Sequence, residues 1–301
     1  MNNLNIVCLL LLSNLFATFS IVAVDPETGE VGSAGGSCIA GSIIISDIHP
    51  SLGAIHTQSY YISSNQNYAS LLMNQGYSPE EIINMLIAND VQNNPSIRQY
   101  GIVDMEDGGR SAAFTGDNCS DWKGHLTGPT YAIQGNILLN EGVIDSMESR
   151  FINTNGPLFK KLMAALQGAN VPGADTRCLD EGISTLSAFI RVAKVDDNQN
   201  DFYMDLNVNS VVPYFAQNGI WLEPIDTLEV LYDEWVNTNI ITSLGDVNED
   251  QIIDILDLVL IINIILGNTE PSGMMFYISD INSDNIINIQ DIILIVNIIL
   301  N

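Results

Sequence analysis

Residues 18–40 read TFSIVAVDPETGEVGSAGGSCIA. Two strand-like runs, FSIVAVD and EVGSAGGSCIA, flank Asp25-Pro26-Glu27-Thr28-Gly29, whose turn-forming composition joins them as a hairpin. Gly29, Gly32, Gly35 and Gly36 have neither the following Lys nor the helical pattern of a phosphate-binding loop, so they read as close packing of paired strands. Outward from the hairpin, the spacing predicts helices over 67–75 and 79–89, the second with Ser78 as N-cap ahead of Pro79. Strand-like runs follow at 100–105, 111–115 and 131–134, helices at 141–151 and 157–166, strands at 186–195 and 202–208, and a helix at 224–236. Strands, then helices, then strands again predict an α+β fold built in layers.

The 301 residues carry 9 Lys+Arg against 36 Asp+Glu, a formal net charge of −27, and every basic residue lies between Arg98 and Lys194. Such a chain gains nothing from phosphate neutralisation and is repelled by anionic headgroups, which excludes nucleic-acid binding. With 47% hydrophobic residues it can bury a sizeable core. Residues 6–17, IVCLLLLSNLFA, have the length of a secretory signal and are too short to span a bilayer, although MNNLN ahead of them carries no positive charge. The expectation is an exported protein with no membrane span after processing. Two small-residue cleavage sites compete, one after Ala17 and one after Ala23. The first divides the chain into a signal peptide (1–17), a main domain (18–236), a polar linker (237–243) and a C-terminal module (244–301).

Removing the signal removes Cys8 and leaves Cys38, Cys119 and Cys178, enough for one disulfide and a leftover thiol or for three buried thiols. The polar surroundings of Cys119 (TGDNCSDW) and Cys178 (ADTRCLDEG) favour that pair. His49, His56 and His125 form no zinc pattern and read as strand or loop residues. GxSxG, HExxH and Walker motifs are absent. Cleavage after Ala17 makes Thr18 the first residue. An N-terminal threonine is a self-contained catalyst, because its hydroxyl attacks while its own α-amine, with a pKa of about 8, takes the proton.

The C-terminal part contains a repeat. DVNEDQIIDILD starts at Asp246, and DINSDNIINIQD starts at Asp280, 34 residues on. Positions 1, 3, 5, 9 and 12 bear side-chain oxygens: Asp246, Asn248, Asp250, Asp254 and Asp257, then Asp280, Asn282, Asp284, Asn288 and Asp291. This spacing wraps a short loop around Ca²⁺, and the crowded carboxylates make the ion a requirement for folding. Position 6, which needs φ > 0, holds Gln251 and Asn285 rather than Gly, and Asn tolerates that conformation better, so the first site is expected to be the weaker. An apolar helix follows each loop. These loop–helix units resemble the type I dockerin. The resemblance implies Ca²⁺ at both loops with carbonyls from Ile252 and Ile286, and a cohesin-like module or cell-surface scaffold as partner. Recognition would run through Ile255, Leu256, Ile289 and Gln290.

Residues 18–235 resemble family 1028 of the domains of unknown function. The stretches TFSIVAVDPETGEVGSAGGS, GAIHTQSYY, RQYGIVD, AAFTG, CSDWKGHLTG, YAIQGN and GADTR…SAF carry the likeness. That family is similar to the N-terminal nucleophile hydrolases, which implies a four-layered α/β/β/α sandwich and amide hydrolysis with Thr18 as nucleophile. The other motif positions are Ser20, Asp25, Thr57, Gln58, Trp122, Gln134, Asn136, Asp175 and Arg177. Gln58, Gln134 and Asn136 bring amide donors suited to an oxyanion hole or to substrate amides. Ser20 and Asp25 are supporting positions, Asp175 and Arg177 can pair to hold a loop, and Trp122 reads as core. Proteasome-type relatives use a lysine soon after the N-terminal strands, whereas here no basic residue precedes Arg98. The readings that follow are an exported amidohydrolase acting on a small or peptide-like substrate, a non-catalytic binding module on the same fold, and a component of a polysaccharide-degrading complex.

Overall fold

The computed structural model describes residues 18–199, 201–209, 222–240 and 244–300. The expected signal peptide and the linker residues 241–243 lie outside them. The chain runs β1 (Thr18–Asp25), β2 (Glu30–Ser37), β3 (Ser46–His49), β4 (Gly53–Gln58), α1 (Ser63–Asn74), α2 (Pro79–Ala88), β5 (Gln99–Asp104) and β6 (Arg110–Thr115). It continues through β7 (Gly124–Gly128), β8 (Tyr131–Asn136), α3 (Gly142–Asn153), α4 (Leu158–Gly168), β9 (Ser187–Ala193), β10 (Met204–Asn209) and α5 (Pro224–Asn239). The last elements are α6 (Ile255–Ile265), α7 (Gly273–Ser279) and α8 (Ile289–Leu300).

All strand pairs are antiparallel. One sheet has the order β10-β9-β2-β1-β8-β7, which puts β1 near its centre, and the other has the order β3-β4-β5-β6. The hairpin turn forms as expected, with Gly29 N–H donating to Asp25 O at 2.8 Å. Ser78 caps α2 through a capping box with Glu81, and Pro79 fills the first turn, where a missing N–H costs nothing.

Side chains alternate along each strand and sort into three layers of packing. Phe19, Ile21, Ala34, Ile133 and Ile190 of the larger sheet pack with residues of α3, α4 and α5. Ile55, Tyr100 and Ile102 of the smaller sheet pack under α1 and α2. Between the sheets lie Val22, Val24, Val31, Ile48, Ala54, Val103, Ala132 and Ala193. Gly32 is where α4 presses against the sheet, since a Cβ there would collide with Leu162.

Three strands escaped the sequence reading: β3, β4 and β7. The helix α5 runs to Asn239 and buries Ile240, so the first part of the expected linker belongs to the main domain. The C-terminal module has a small core of its own, with Val247, Leu258, Ile261 and Ile295 buried. Among the described residues no helix is long and apolar enough to cross a membrane.

Candidate functional site

The layer between the sheets is dry at one end and polar at the other. Thr18, Ser20, Ser33, His56, Gln58, Gln99, Gln134 and Asn136 form the polar end, and none is more than 1% exposed. Buried polar groups are tolerated when they bond to one another, and here they do so across both sheets. Ser20 Oγ donates to Gln58 Oε1 at 2.6 Å and accepts from Gln134 Nε2 at 2.6 Å. Gln58 Nε2 donates to Gln99 Oε1 at 2.7 Å and to the Thr18 carbonyl at 3.2 Å. Asn136 Nδ2 donates to the same Gln99 oxygen at 2.9 Å, and Gln99 Nε2 lies 2.8 Å from the Gly135 carbonyl.

His56 joins this network as a neutral ring. Gln134 Nε2 can only donate, so His56 Nδ1, 3.3 Å away, accepts. His56 Nε2 then carries the proton and donates to Ser33 Oγ at 2.6 Å, and Ser33 Oγ in turn donates to Ser46 Oγ at 2.8 Å. Burial, helped by the charge of Arg191, pushes the imidazole pKa down to about 3. Gly101 makes room for the Gln134 amide, because a Cβ there would collide with it.

Thr18 stands at the head of β1, opposite Asn136 on β8. Its Oγ1 is buried and has no hydrogen-bond partner. Of the three amides singled out from the sequence, Gln58 and Gln134 each spend both N–H bonds inside the network. Asn136 Nδ2 spends one on Gln99, and Asn136 is the cross-strand neighbour of Thr18. Asp175 is fully buried, accepts from Cys38 N–H at 2.6 Å and pairs with Arg177 through two guanidinium nitrogens at 2.7 and 3.1 Å. Arg177 also reaches Ser37 Oγ at 3.3 Å. This pair therefore holds the end of β2 that leads towards Thr18. Asp25 lies at the opposite end of β1, where it accepts from Glu27 N–H in the turn at 3.0 Å, and does not join the network. Thr57 faces Gln66, and Trp122 packs against the core.

One pairing is corrected. The disulfide links Cys38 to Cys178, with Cα atoms 5.7 Å apart, and not Cys119 to Cys178. Cys119 follows the smaller sheet, is buried and free, and donates its S–H to Arg98 O at 3.3 Å. Cys178 instead follows the Asp175–Arg177 pair, which anchors it beside the end of β2. His56, Gln99 and Ser33 were missed as site residues. The strand motifs GAIHTQ and RQYGIVD already contained the first two.

The two C-terminal loops share the same backbone-to-carboxylate bonds. Asp246 accepts from Asp250 and Gln251 N–H at 3.1 and 2.9 Å, and Asp280 accepts from Asp284 and Asn285 N–H at 3.1 and 2.8 Å. Asp257 accepts from Val247, Asn248 and Asp254 N–H, while Asp291 accepts from Ile281, Asn282 and Asn288 N–H. Position 6 takes positive φ in both loops, 70° at Gln251 and 63° at Asn285. Among the described residues no three carboxylate, thiolate or imidazole groups converge as a metal cluster. The donor chemistry nevertheless fits a hard dication. Asp246, Asp257, Asp280 and Asp291 are all buried, and no Lys or Arg follows Lys194 to offset them.

Residues 18–213 match the family described as "Family of unknown function (DUF1028)". The chain belongs to this family. Residues 244–300 match the type I dockerin domain. Type I dockerins bind calcium, occur in extracellular and cell-surface proteins and interact with cohesin modules. The chain is also similar to the crystal structure of a DUF1028 protein from Silicibacter pomeroyi, at 26% identity and a TM-score of 0.58, over 73% of this chain and 89% of that one. No curated protein matches it. It is thus a dockerin-bearing DUF1028 protein with a mixed α+β main domain.

Proposed function

We propose that the DUF1028 domain is an exported amide hydrolase with Thr18 as its nucleophile, held to a cohesin-bearing scaffold or surface by the dockerin. The observation that carries this reading is the partnerless, buried Thr18 Oγ1 at the head of a central strand, whose cross-strand neighbour is Asn136. Cleavage after Ala17 frees the α-amine next to that hydroxyl. The amine accepts the hydroxyl proton as Oγ1 adds to a carbonyl carbon, and returns it to the leaving nitrogen. In this reading Asn136, the cross-strand neighbour of Thr18, donates to the developing oxyanion, while Gln58 fixes the Thr18 carbonyl and Asp175 with Arg177 fixes the neighbouring strand end. Helices outside each of two facing sheets are the arrangement expected of an N-terminal nucleophile sandwich, which supports this assignment. The strong negative charge favours neutral or cationic substrates.

The test has two parts. Terminal sequencing of the exported protein reads Thr18 as the first residue, and a start at Val24 or Met1 sinks the proposal. In a screen of neutral and cationic amides, Thr18→Ala abolishes turnover and Thr18→Ser retains part of it. The near-complete burial of Thr18 favours a second reading, a non-catalytic binding module on the same fold. No turnover in a protein that starts at Thr18 supports that alternative, whereas turnover that survives Thr18→Ala assigns the catalysis to another residue and overturns both readings.

For the dockerin we propose two calcium sites. The first uses Asp246, Asn248, Asp250, Ile252 (carbonyl), Asp254 and Asp257. The second uses Asp280, Asn282, Asp284, Ile286 (carbonyl), Asn288 and Asp291. Calorimetric titration with Ca²⁺ gives a stoichiometry of two, reduced to one by Asp250→Ala.

A further inference from the structure

The short helix α7 faces two ways. Met275 packs into the dockerin core. Met274, Tyr277 and Ile278, at helical spacing, join the core of the main domain instead, and Ile278 is 2% exposed there. The Tyr277 ring meets Phe159 of α4 edge-on, with centroids 6.0 Å apart, and Lys160 Nζ sits 5.2 Å over the Tyr277 ring. The backbones also approach closely, since a Cβ on Gly273 would lie 2.7 Å from the Gly156 carbonyl oxygen. Phe159 in turn touches Trp235 at 5.5 Å, and Trp235 touches Tyr203 at 4.9 Å. One aromatic chain therefore runs from the dockerin into the main domain.

Both calcium loops hold the C-terminal end of α7. Asp280, the first residue of the second loop, is its C-cap, and Gly245 N–H beside the first loop donates to the Ile278 carbonyl at 2.9 Å. The first loop also reaches the main domain. Asp246, Glu249 and Gln251 form one wall of a cavity of about 660 Å³, and Glu30, Lys194 and Tyr203 line it from the main domain. A helix of seven residues does not persist alone in water. When the acidic loops open for want of an ion, α7 loses both supports and Tyr277 leaves the Phe159 ring.

We infer that α7 is a seat shared by the two domains, through which calcium uptake by the dockerin loops stabilises the DUF1028 domain. The inference rests on the calcium reading of those loops. A ligand that binds only the seated state raises the stability of everything the seat supports.

The experiment uses the full chain, with calcium uptake measured directly by titration calorimetry. Thermal unfolding and tryptophan emission are then recorded in Ca²⁺ and in chelator. Calcium raises the melting temperature of the main domain by about 4 °C or more and moves the emission to shorter wavelength as Tyr277 closes on Phe159, the ring that Trp235 packs against. Ile278→Asn still takes up calcium but loses both responses. Tyr277→Ala, at a half-buried position, gives the same reading should Ile278→Asn fail to fold. Uptake without any change in the main domain overturns the linkage and leaves the calcium sites standing. Responses that persist in the seat variants also overturn it, and absence of uptake overturns both.

Discussion

Gln99 of the main domain and Asp257 of the dockerin are both wholly buried polar side chains, yet they are satisfied in different ways. Gln99 is neutral. It binds Gln58 of the adjacent strand β4 and Gly135 and Asn136 of β8 in the facing sheet, so its cost of burial is met within the protein. Asp257 accepts three backbone N–H groups, but its charge has no cation in the dockerin to balance it. Apart from Thr18 Oγ1 and Gln134 Oε1, the polar layer of the main domain is satisfied as folded, while the dockerin loops are complete only with an ion. Neutral amides can be wired together at the centre of a sandwich, whereas clustered carboxylates need a partner from outside the chain.

The largest expected effect follows from that contrast. Chelation melts the dockerin, seen as loss of the helical signal of α6 and α8 with the sheet signal of the main domain retained. Asp257→Ala combined with Asp291→Ala does the same in saturating Ca²⁺, because several kcal/mol of loop bonding and ion binding go together. Helix content that survives chelation would show the loops to be self-sufficient and erase the difference between the two regions.

In the main domain the matching substitution is Gln99→Leu. It strands the amides of Gln58 and Asn136 and the Gly135 carbonyl, at a cost of about 4 kcal/mol in urea unfolding. Calcium does not restore that loss. A cost below about 1 kcal/mol would mean that the network is ornamental to stability. The disulfide is next in size. Cys38→Ser opens a loop of 140 residues and lowers stability by about 3 kcal/mol, while Cys119→Ser keeps the bridge and changes the same midpoint by no more than about 1 kcal/mol.

Much of this arrangement was legible beforehand, for identifiable reasons. The hairpin carries its turn residues, α2 carries Ser78 and Pro79, and the loops repeat their oxygen spacing, so each is specified locally. The strands β4 and β7 were not. Both faces of β4 are covered, Ile55 by α1 and α2 and His56 by the facing sheet, so the usual polar-out alternation is missing. His56 read as an ordinary strand or loop residue and Gln99 carried no motif of its own, because neutral polar side chains are rarely stacked between sheets. The cysteine pairing depends on where the Asp175–Arg177 turn docks beside β2, and no local sequence feature encodes that contact.

The smallest expected effect concerns the charge state of the polar layer itself. Burial and Arg191 hold His56 at about 3, against about 6.5 in an unfolded chain. Between those values the unfolded chain binds a proton that the folded one refuses. His56 therefore contributes its full stability above about pH 6.5 and loses it progressively as pH falls towards 3. Moving from pH 7.5 to 5 costs about 2 kcal/mol through this one ring. Glu30 and Glu223, raised by burial, act with the opposite sign on acidification, so the informative quantity is the difference between wild type and His56→Gln. Urea midpoints measured at both pH values should fall further in the wild type than in the variant. Equal falls would mean that the imidazole already carries charge inside the sandwich, in which case this layer, like the dockerin loops, buries an ion rather than a neutral network.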